Sequence, residues 1–282
     1  MTDYRSPLLD WPDAVAAGGL DAGTAWHYGD PLGEQRRALA GAGLIDRSHR
    51  DVLVVPGPDR LDWLHAICSQ HLTALLDGDS TEALVLSPNG HVEQHWQLTE
   101  LGGEVWIDTE PGAADAVLAY LLKMRFLKRV EPAVVTSEFA VLSLVGPQAG
   151  EVLAGAGLPV PRVAAIALPG DGFVRPALSA GGPLDLIVGR AELVAIADRL
   201  RAAGAHPIGS WAADALRVER RQPRLGIDTD HRTLAHEANW IGSAVHLDKG
   251  CYRGQETVAR VQNLGKPPRR LVLLHLSGDS EQ

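Results

Sequence analysis

Apolar residues recur along this chain at two different periods, and the changes between them mark out the elements. The first thirty residues mix Gly, Ala and Asp with short apolar pieces. Asp30-Pro31 then opens a helical pattern in which Leu32, Arg36 and Leu39 share a face, with Gly41 and Gly43 at its end. Val52 to Val55 read as a strand, halted by Pro56-Gly57-Pro58. Asp59 stands where a helix cap is wanted, and Leu61, Leu64, Ile67 (or Cys68) and His71 follow on one face. Two strand-like runs, EALVLS and HVEQHWQLTE, flank Pro88-Asn89-Gly90, and Asn-Gly in that position predicts a hairpin. VWIDTE reads as one more strand.

The clearest amphipathic helix is AADAVLAYLLKMRFLKRV. Val117, Tyr120, Leu121, Met124 and Leu127 repeat along it, and Lys123, Arg125, Lys128 and Arg129 gather at its C-terminal end, where the helix dipole favours them. FAVLSLVG predicts a strand before a helix, EVLAGAGL. PLDLIVG predicts another before AELVAIADRLRAAG, which Gly204 ends. Residues 208 to 219 read as a further helix. Strands and helices alternate in groups rather than strictly, which predicts an α+β or mixed arrangement rather than a doubly wound parallel sheet.

Composition narrows the class. The chain has 282 residues, enough for two domains or one large α/β unit, and 45% apolar with 22% charged residues is ordinary for a globular protein. A formal net charge of −9 argues against binding nucleic acid or an acidic membrane over the whole surface. Two cysteines, Cys68 and Cys251, cannot build a disulfide framework and fit a reducing compartment. With no signal-like leader and no run of about 18 apolar residues, the expectation is a cytoplasmic protein with no membrane and no nucleic acid among its partners.

The stretch HLDKGCYRGQETVARVQNLGK, residues 246 to 266, carries the most chemistry. SAVHLD before it alternates like a strand, and QETVARV suits a helix, so Cys251 falls in a turn between them. Lys249, Arg253 and a helix N-terminus would each favour its thiolate, the nucleophilic form. Gly250 and Gly254 permit backbone that other residues resist. The opposite reading is a small buried residue in a turn that glycines merely shape, since free cysteines are among the most buried residues. The residues alone leave both open.

Other candidates are weaker. His231, His236 and Glu237 suggest a metal, but HEANW lacks the second histidine of H-E-x-x-H, and no metal site is expected. There is no phosphate loop and no G-x-S-x-G elbow. Two cysteines cannot give four thiolates to an iron–sulfur cluster. Two basic groups, Lys123/Arg125/Lys128/Arg129 and Arg217/Arg220/Arg221/Arg224, are either solvated helix ends or the lining of an anionic ligand's channel.

The segment from Lys249 through Gly250, Cys251, Tyr252, Gly254 and Gln255 to Glu256 resembles the K-G-C-[YF]-x-G-Q-E signature of the YgfZ family, folate-binding relatives of the glycine-cleavage T-protein that act in iron–sulfur cluster assembly or repair. LRVERRQPRLGIDTDHRTLAHEAN, residues 216 to 239, is similar to that family's preceding block, with Arg217, Glu219, Pro223, Gly226, Asp228, Glu237 and Asn239 in place. LIDRSHRDVLVVPGPDRLDWLH and LVLSPNGHVEQHW resemble its opening strand, helix and hairpin.

The resemblance implies an α+β, T-protein-like fold of two interleaved α/β subdomains over residues 1–265. Residues 266–282, with LVLLHL as a strand, would be the remnant or first strand of a terminal β-barrel otherwise absent. It implies a tetrahydrofolate-binding accessory protein for iron–sulfur enzymes, with those enzymes or cluster-assembly proteins as partners and tetrahydrofolate or a one-carbon derivative as cofactor. Cys251 would be the reactive group and Lys249 would tune it. Arg217, Glu219, Gln94 and His95 would belong to the folate wall, the arginine suiting the carboxylates of a glutamate tail.

Two departures matter. The relatives' acid/base aspartate falls here on Gln94 or His95, and their pterin-binding glutamate falls in Ser179 to Pro183, which holds no carboxylate. That argues against aminomethyl transfer. A folate-dependent aminomethyltransferase stays as the alternative, a non-catalytic protein-binding module with an inert thiol as the second, and whether the chain is an enzyme stays open.

Overall fold

The computed structural model describes residues 4–179 and 181–275. A short hairpin, β1 (Ala14–Ala16) and β2 (Ala25–Tyr28), precedes α1 (Pro31–Ala40). Asp30 caps α1 by accepting from the Gly33 N–H at 2.9 Å, and Pro31 takes the first helical position. The buried face is not the one the leucine spacing predicts. Leu32 and Leu39 face solvent, while Gly33, Glu34 and Ala38 turn inward. The Glu34 carboxylate decides this, since it accepts from the backbone of Tyr28 at 2.6 Å and Gly209 at 2.9 Å.

Next come β3 (Gly43–Asp46), β4 (Asp51–Pro56) and α2 (Arg60–Ile67). Asp59 heads α2 but makes no capping bond; its carboxylate instead holds Arg129, at 2.8 Å to the backbone and 2.7 Å to the guanidinium. The helix also ends sooner than its pattern, so Cys68 is its C-cap and His71 lies beyond. The expected hairpin forms from β5 (Ser80–Leu86) and β6 (Val92–Leu101), with Gly90 at φ +80°. β7 (Glu104–Thr109) follows, then α3 (Ala114–Met124), which stops before Arg125, leaving Phe126 and Leu127 in solvent.

The rest of the chain runs β8 (Ala133–Val134), β9 (Phe139–Val145), α4 (Ala149–Gly155), β10 (Ile166–Ala167), β11 (Gly172–Arg175), β12 (Leu184–Gly189), α5 (Leu193–Ala202), β13 (His206–Ile208), α6 (Ser210–Glu219) and α7 (Gln255–Leu264).

Two larger sheets organise these elements, one in the order β5-β6-β7-β4-β8 and the other in the order β10-β11-β12-β9-β3-β13. Every pairing in them is antiparallel except β13 with β3, so the first sheet is antiparallel, the second is mixed, and neither is doubly wound parallel, as the grouping of elements predicts. Each sheet buries one face under helices. α2 and α3 cover the first through Trp63, Leu64, Val117 and Leu121 against Trp96 and Leu98. α4 and α5 cover the second through Leu153, Ile196 and Leu200 against Leu142, Leu144 and Leu186. Each such side chain, fully buried, stabilises the fold by roughly 1.5–3 kcal/mol. The other faces meet through Val52, Trp106, Val141, Phe173 and Ile187, so the sheets pack back to back at one end.

The C-terminal region covers the free face of the β5–β6 hairpin, with Trp240, Tyr252 and Val258 against Leu84, Leu86 and Val92. Two predicted strands are not there. SAVHLD makes turns and a single bridge between Ile241 and Val245. Leu271 to His275 join no sheet; Leu271 N–H donates to the Glu237 carbonyl at 2.9 Å. Leu276, the last residue of that predicted strand, lies outside the described residues. Among the described residues there is no closed barrel, and no helix is long and apolar enough to cross a membrane.

Candidate ligand cavity

Where the two sheets diverge they leave a cavity of about 280 Å³. β5, β6 and β12 form its floor, the turn after β3 one wall, and α6 with the loop after it the other.

Strand alternation sorts the hairpin residues. Glu82 pairs with Gln97 and Leu84 with His95, so Glu82 and His95 are diagonal neighbours on one face. They meet: His95 Nε2 is 3.1 Å from a Glu82 carboxylate oxygen, and both line the cavity. Burial alone would raise the Glu82 carboxyl, but the His95 bond and charge hold it below its usual value. The indole of Trp240 lies against the His95 ring at 5.0 Å. Gln94 sits on the opposite face, donating to the Ala116 carbonyl of α3 at 3.3 Å, so it is not part of the wall.

Helix geometry sorts the next pair. Arg217 lines the cavity from the last turn of α6, held by Asp214 at 2.6 Å and Asp228 at 2.5 Å. Glu219, two residues on, is exposed and not in the lining. Of the four expected wall residues the structure therefore brings His95 and Arg217 to the cavity and leaves Gln94 and Glu219 out.

A chain of alternating charge runs through the site. His49 Nε2 is 3.1 Å from Asp21; Arg224 clamps Asp21 at 2.7 and 2.9 Å and reaches Glu110 at 2.9 Å. Arg50 joins Glu110 at 2.9 Å to Asp108 at 3.2 Å, and Arg175 joins Asp108 at 2.7 Å to Asp185 at 3.0 Å, tying one sheet to the other. Each acid is matched to a guanidinium, as buried charge requires. Three further cavity-lining guanidiniums have no such match. Arg47, Arg220 and Arg221 have no side-chain hydrogen bond or ion pair with any described residue. Burial pulls Arg47 and Arg220 below the usual arginine range. Of the two expected basic groups, the one after α6 lines the cavity; Lys123, Arg125, Lys128 and Arg129 do not.

The cysteine motif lies elsewhere. Cys251 is exposed and absent from the cavity lining, and both cysteines are free thiols. Lys249 is buried, and its ammonium donates to the carbonyls of His65 and Cys68 and lies 4.8 Å over the Tyr252 ring. It thus closes the C-terminal end of α2, where carbonyls lack partners. Gly254 is the α7 cap at φ +84°, and a Cβ there would stand 2.5 Å from the Ser87 carbonyl oxygen, so only glycine fits. Gly250 has neither constraint. Gln255 Nε2 donates to the Lys249 carbonyl at 3.3 Å, and Glu256 is exposed in the first turn of α7. Among the described residues, no group of three or more His, Cys, Asp or Glu is placed to hold a metal ion. His231 and His236 do not meet, and Glu237 instead takes Arg269 at 2.9 Å.

Sequence reading missed Glu82, His49, Asp21 and Arg47. Glu82 could have been found, because it shares the face of Leu84 in STEALVL. Asp21 and His49 come together from distant loops that no period connects.

Residues 25–158 match the GCVT N-terminal domain. An aminomethyltransferase of Synechococcus sp. is 29% identical over 305 residues, covering 99% of this chain and 81% of its own. One from Herpetosiphon aurantiacus is 27% identical over 264 residues, covering 89% and 72%. A putative chloroplastic transferase of Arabidopsis thaliana is 24% identical over 265 residues; these make up 86% of this chain, which spans only 58% of that relative's length. The crystal structure of glycine cleavage system aminomethyltransferase T from Bartonella henselae superposes with a TM-score of 0.82 at 22% identity, covering 91% of this chain and 73% of that one.

Proposed function

The chain has the mixed α/β fold of the glycine-cleavage aminomethyltransferase, and from that premise we propose that its cavity binds a reduced folate. We further propose that the protein serves the assembly or repair of iron–sulfur enzymes, as the YgfZ-like cysteine motif suggests. The observation that carries the ligand is the set of guanidiniums without a partner among the described residues, Arg47, Arg220 and Arg221, gathered on one cavity in a chain of net charge −9. Unmatched arginines in such a place suit carboxylates, which they bind in bidentate fashion.

The residues present fit the group. The free guanidiniums would hold its glutamate carboxylates, and Trp240 and Leu178 give apolar surface for a flat ring. The volume is near the lower end, about 300 Å³, for small-molecule sites. It suits a bicyclic head, with a glutamate tail running outward. A bound reduced folate would supply the acceptor for a one-carbon unit. Cys251 faces solvent away from the cavity, so its thiol is offered to a partner protein or a cluster in transit rather than to the cavity's ligand.

Titration of purified protein with 5-formyltetrahydrofolate tests the ligand. Saturable binding, weakened at least about tenfold in Arg47→Ala and Arg220→Ala, is the expected result, since a bond to a charged group contributes about 1.5–3 kcal/mol. No saturable binding overturns it. Iron–sulfur enzyme activity in cells carrying Cys251→Ala tests the role, and full activity there would remove the thiol from it.

A second reading, folate-dependent aminomethyl transfer, is favoured by one observation. The His95–Glu82 pair puts an imidazole and a carboxylate on the cavity, although the Gln94/His95 position where the relatives carry their aspartate has no carboxylate of its own. Folate binding without any turnover of an aminomethylated carrier protein would sink that reading.

A further inference from the structure

The turn after α3 carries two of the most exposed large apolar side chains in the fold, Phe126 at 83% and Leu127 at 98%. Lys128 N–H donates to the Arg125 carbonyl at 2.9 Å, so these two are the central pair of a turn with a basic residue at each corner. Leu122, on the last turn of α3, is exposed as well. Turn centres normally hold polar residues or glycine. Phe126 also has φ +43°, which asparagine or glycine takes readily and an aromatic residue resists. The surroundings impose that conformation from both sides. Trp63 Nε1 donates to the Met124 carbonyl at 2.8 Å, and Asp59 holds the Arg129 N–H at 2.8 Å and its guanidinium at 2.7 Å. α2 and its cap thus mount the turn at both ends, with the apolar pair outward.

The charge around the pair is of one sign. Arg129 is matched by Asp59, while Lys123, Arg125 and Lys128 have no side-chain partner among the described residues. Glu131 is the one acid between residues 116 and 137, and Asp115 stands at the far end of α3, about 15 Å along the helix from Arg125. The net charge of −9 opposes an acidic surface spread over the whole molecule. Charges more than about 8 Å away are largely screened at physiological salt, so the turn's own cations set the local attraction.

We propose that this turn docks on an anionic lipid surface. Phe126 and Leu127 enter the boundary between headgroups and acyl chains, and Lys123, Arg125 and Lys128 meet the lipid phosphates. Shape favours a bilayer over a protein partner. A convex tip whose side chains are almost wholly exposed suits a deformable interface, whereas protein contacts centre on anchors packed into pockets. The chain's own C-terminal region does not compete, since it packs on the opposite face of the sheet from α3. The contact is peripheral: among the described residues no helix is long and apolar enough to cross a membrane. It is independent of what the cavity binds.

The experiment is co-sedimentation with vesicles of phosphatidylcholine alone and of phosphatidylcholine with about 30% phosphatidylglycerol, at low and high salt. Wild type is compared with Phe126→Asn/Leu127→Ser, with Lys123→Gln/Arg125→Gln/Lys128→Gln, and with Leu32→Ser, an exposed leucine of α1 as control. Thermal unfolding checks that each variant folds, and Phe126→Asn alone should be at least as stable as wild type because asparagine suits φ +43°. Wild type should bind the anionic vesicles, and at least about tenfold more weakly at high salt or without the anionic lipid. The charge variant should lose about fivefold per cation removed, and the apolar variant at least about tenfold. Leu32→Ser should bind like wild type. No binding by wild type overturns the inference and turns the tip over to a protein partner. Binding that both tip variants retain, or that Leu32→Ser loses equally, overturns it too.

Discussion

The ammonium of Lys249 rests on the carbonyl oxygen of Cys68, 2.6 Å away, with the His65 carbonyl as its second acceptor. A lysine two residues from an exposed thiol is thereby spent on the end of a helix 181 residues earlier in the chain. It pins the C-terminal segment to α2 and supplies the positive charge that a helix C-terminus favours.

Lys249→Met should therefore act first on stability. The apolar stem remains, but the carbonyls of His65 and Cys68 lose their donor inside the fold. Urea unfolding should show a loss of about 1–3 kcal/mol. The alkylation rate of Cys251 in the folded variant should stay within about twofold of wild type, because the ammonium is committed elsewhere. A rate that collapses while stability holds would return Lys249 to the role of thiol activator.

That exchange of roles shows where sequence reading stops. The spacing of Lys249 and Cys251 is visible in the chain, but the direction of a lysine side chain is not. Local pattern gave the helices and the hairpin, because alternation in STEALVL and VEQHWQL is the same physics that buries Leu84 and Trp96 on opposite faces. It misjudged α1, where a single buried carboxylate, Glu34, outweighs two leucines. It also saw His95 and Arg217 at the cavity but not their partners. The Asp21–His49 pair joins residues 28 positions apart through loops, and Glu82 meets His95 across a hairpin.

The two glycines of the cysteine motif should behave differently. Gly254→Ala forces an L-residue to φ +84° and a Cβ onto the Ser87 carbonyl. It should cost at least about 1–3 kcal/mol and loosen α7 from the hairpin. Gly250→Ala meets no atom within 4 Å and should stay within about 0.5 kcal/mol of wild type. Thermal unfolding of the pair checks this, and equal losses would contradict the geometry.

The two thiols should separate cleanly. Cys251 is exposed, whereas Cys68 is buried, and burial pushes its thiol up to about 11. Native protein should take up one equivalent of an alkylating reagent at pH 8 and two in denaturant, with Cys68 slower by at least about 100-fold, since only the accessible thiolate reacts. Mass spectrometry of the labelled peptides reads this directly. Rapid native labelling of Cys68 would mean that the end of α2 opens.

Acid should undo the fold through its charge network. Burial raises the carboxyls of Asp21, Glu110 and Asp185, yet the His49 bond to Asp21 and the arginines facing all three win and hold them below their usual values. A carboxyl depressed in the folded state contributes stability that is present above its unfolded value, near 4, and is lost as pH falls toward its folded value. Between pH 6 and 3 the unfolding free energy should fall by about 1 kcal/mol or more for each such carboxyl, with the rest of its roughly 2–3 kcal/mol lost below pH 3. Asp21→Asn should be less stable than wild type at pH 6 and show a shallower fall, because it removes a group that titrates and frees Arg224 from one side of its clamp. Urea midpoints measured across that range decide the matter. A flat profile in wild type, or an equally steep one in Asp21→Asn, would mean that these ion pairs hold shape without holding stability.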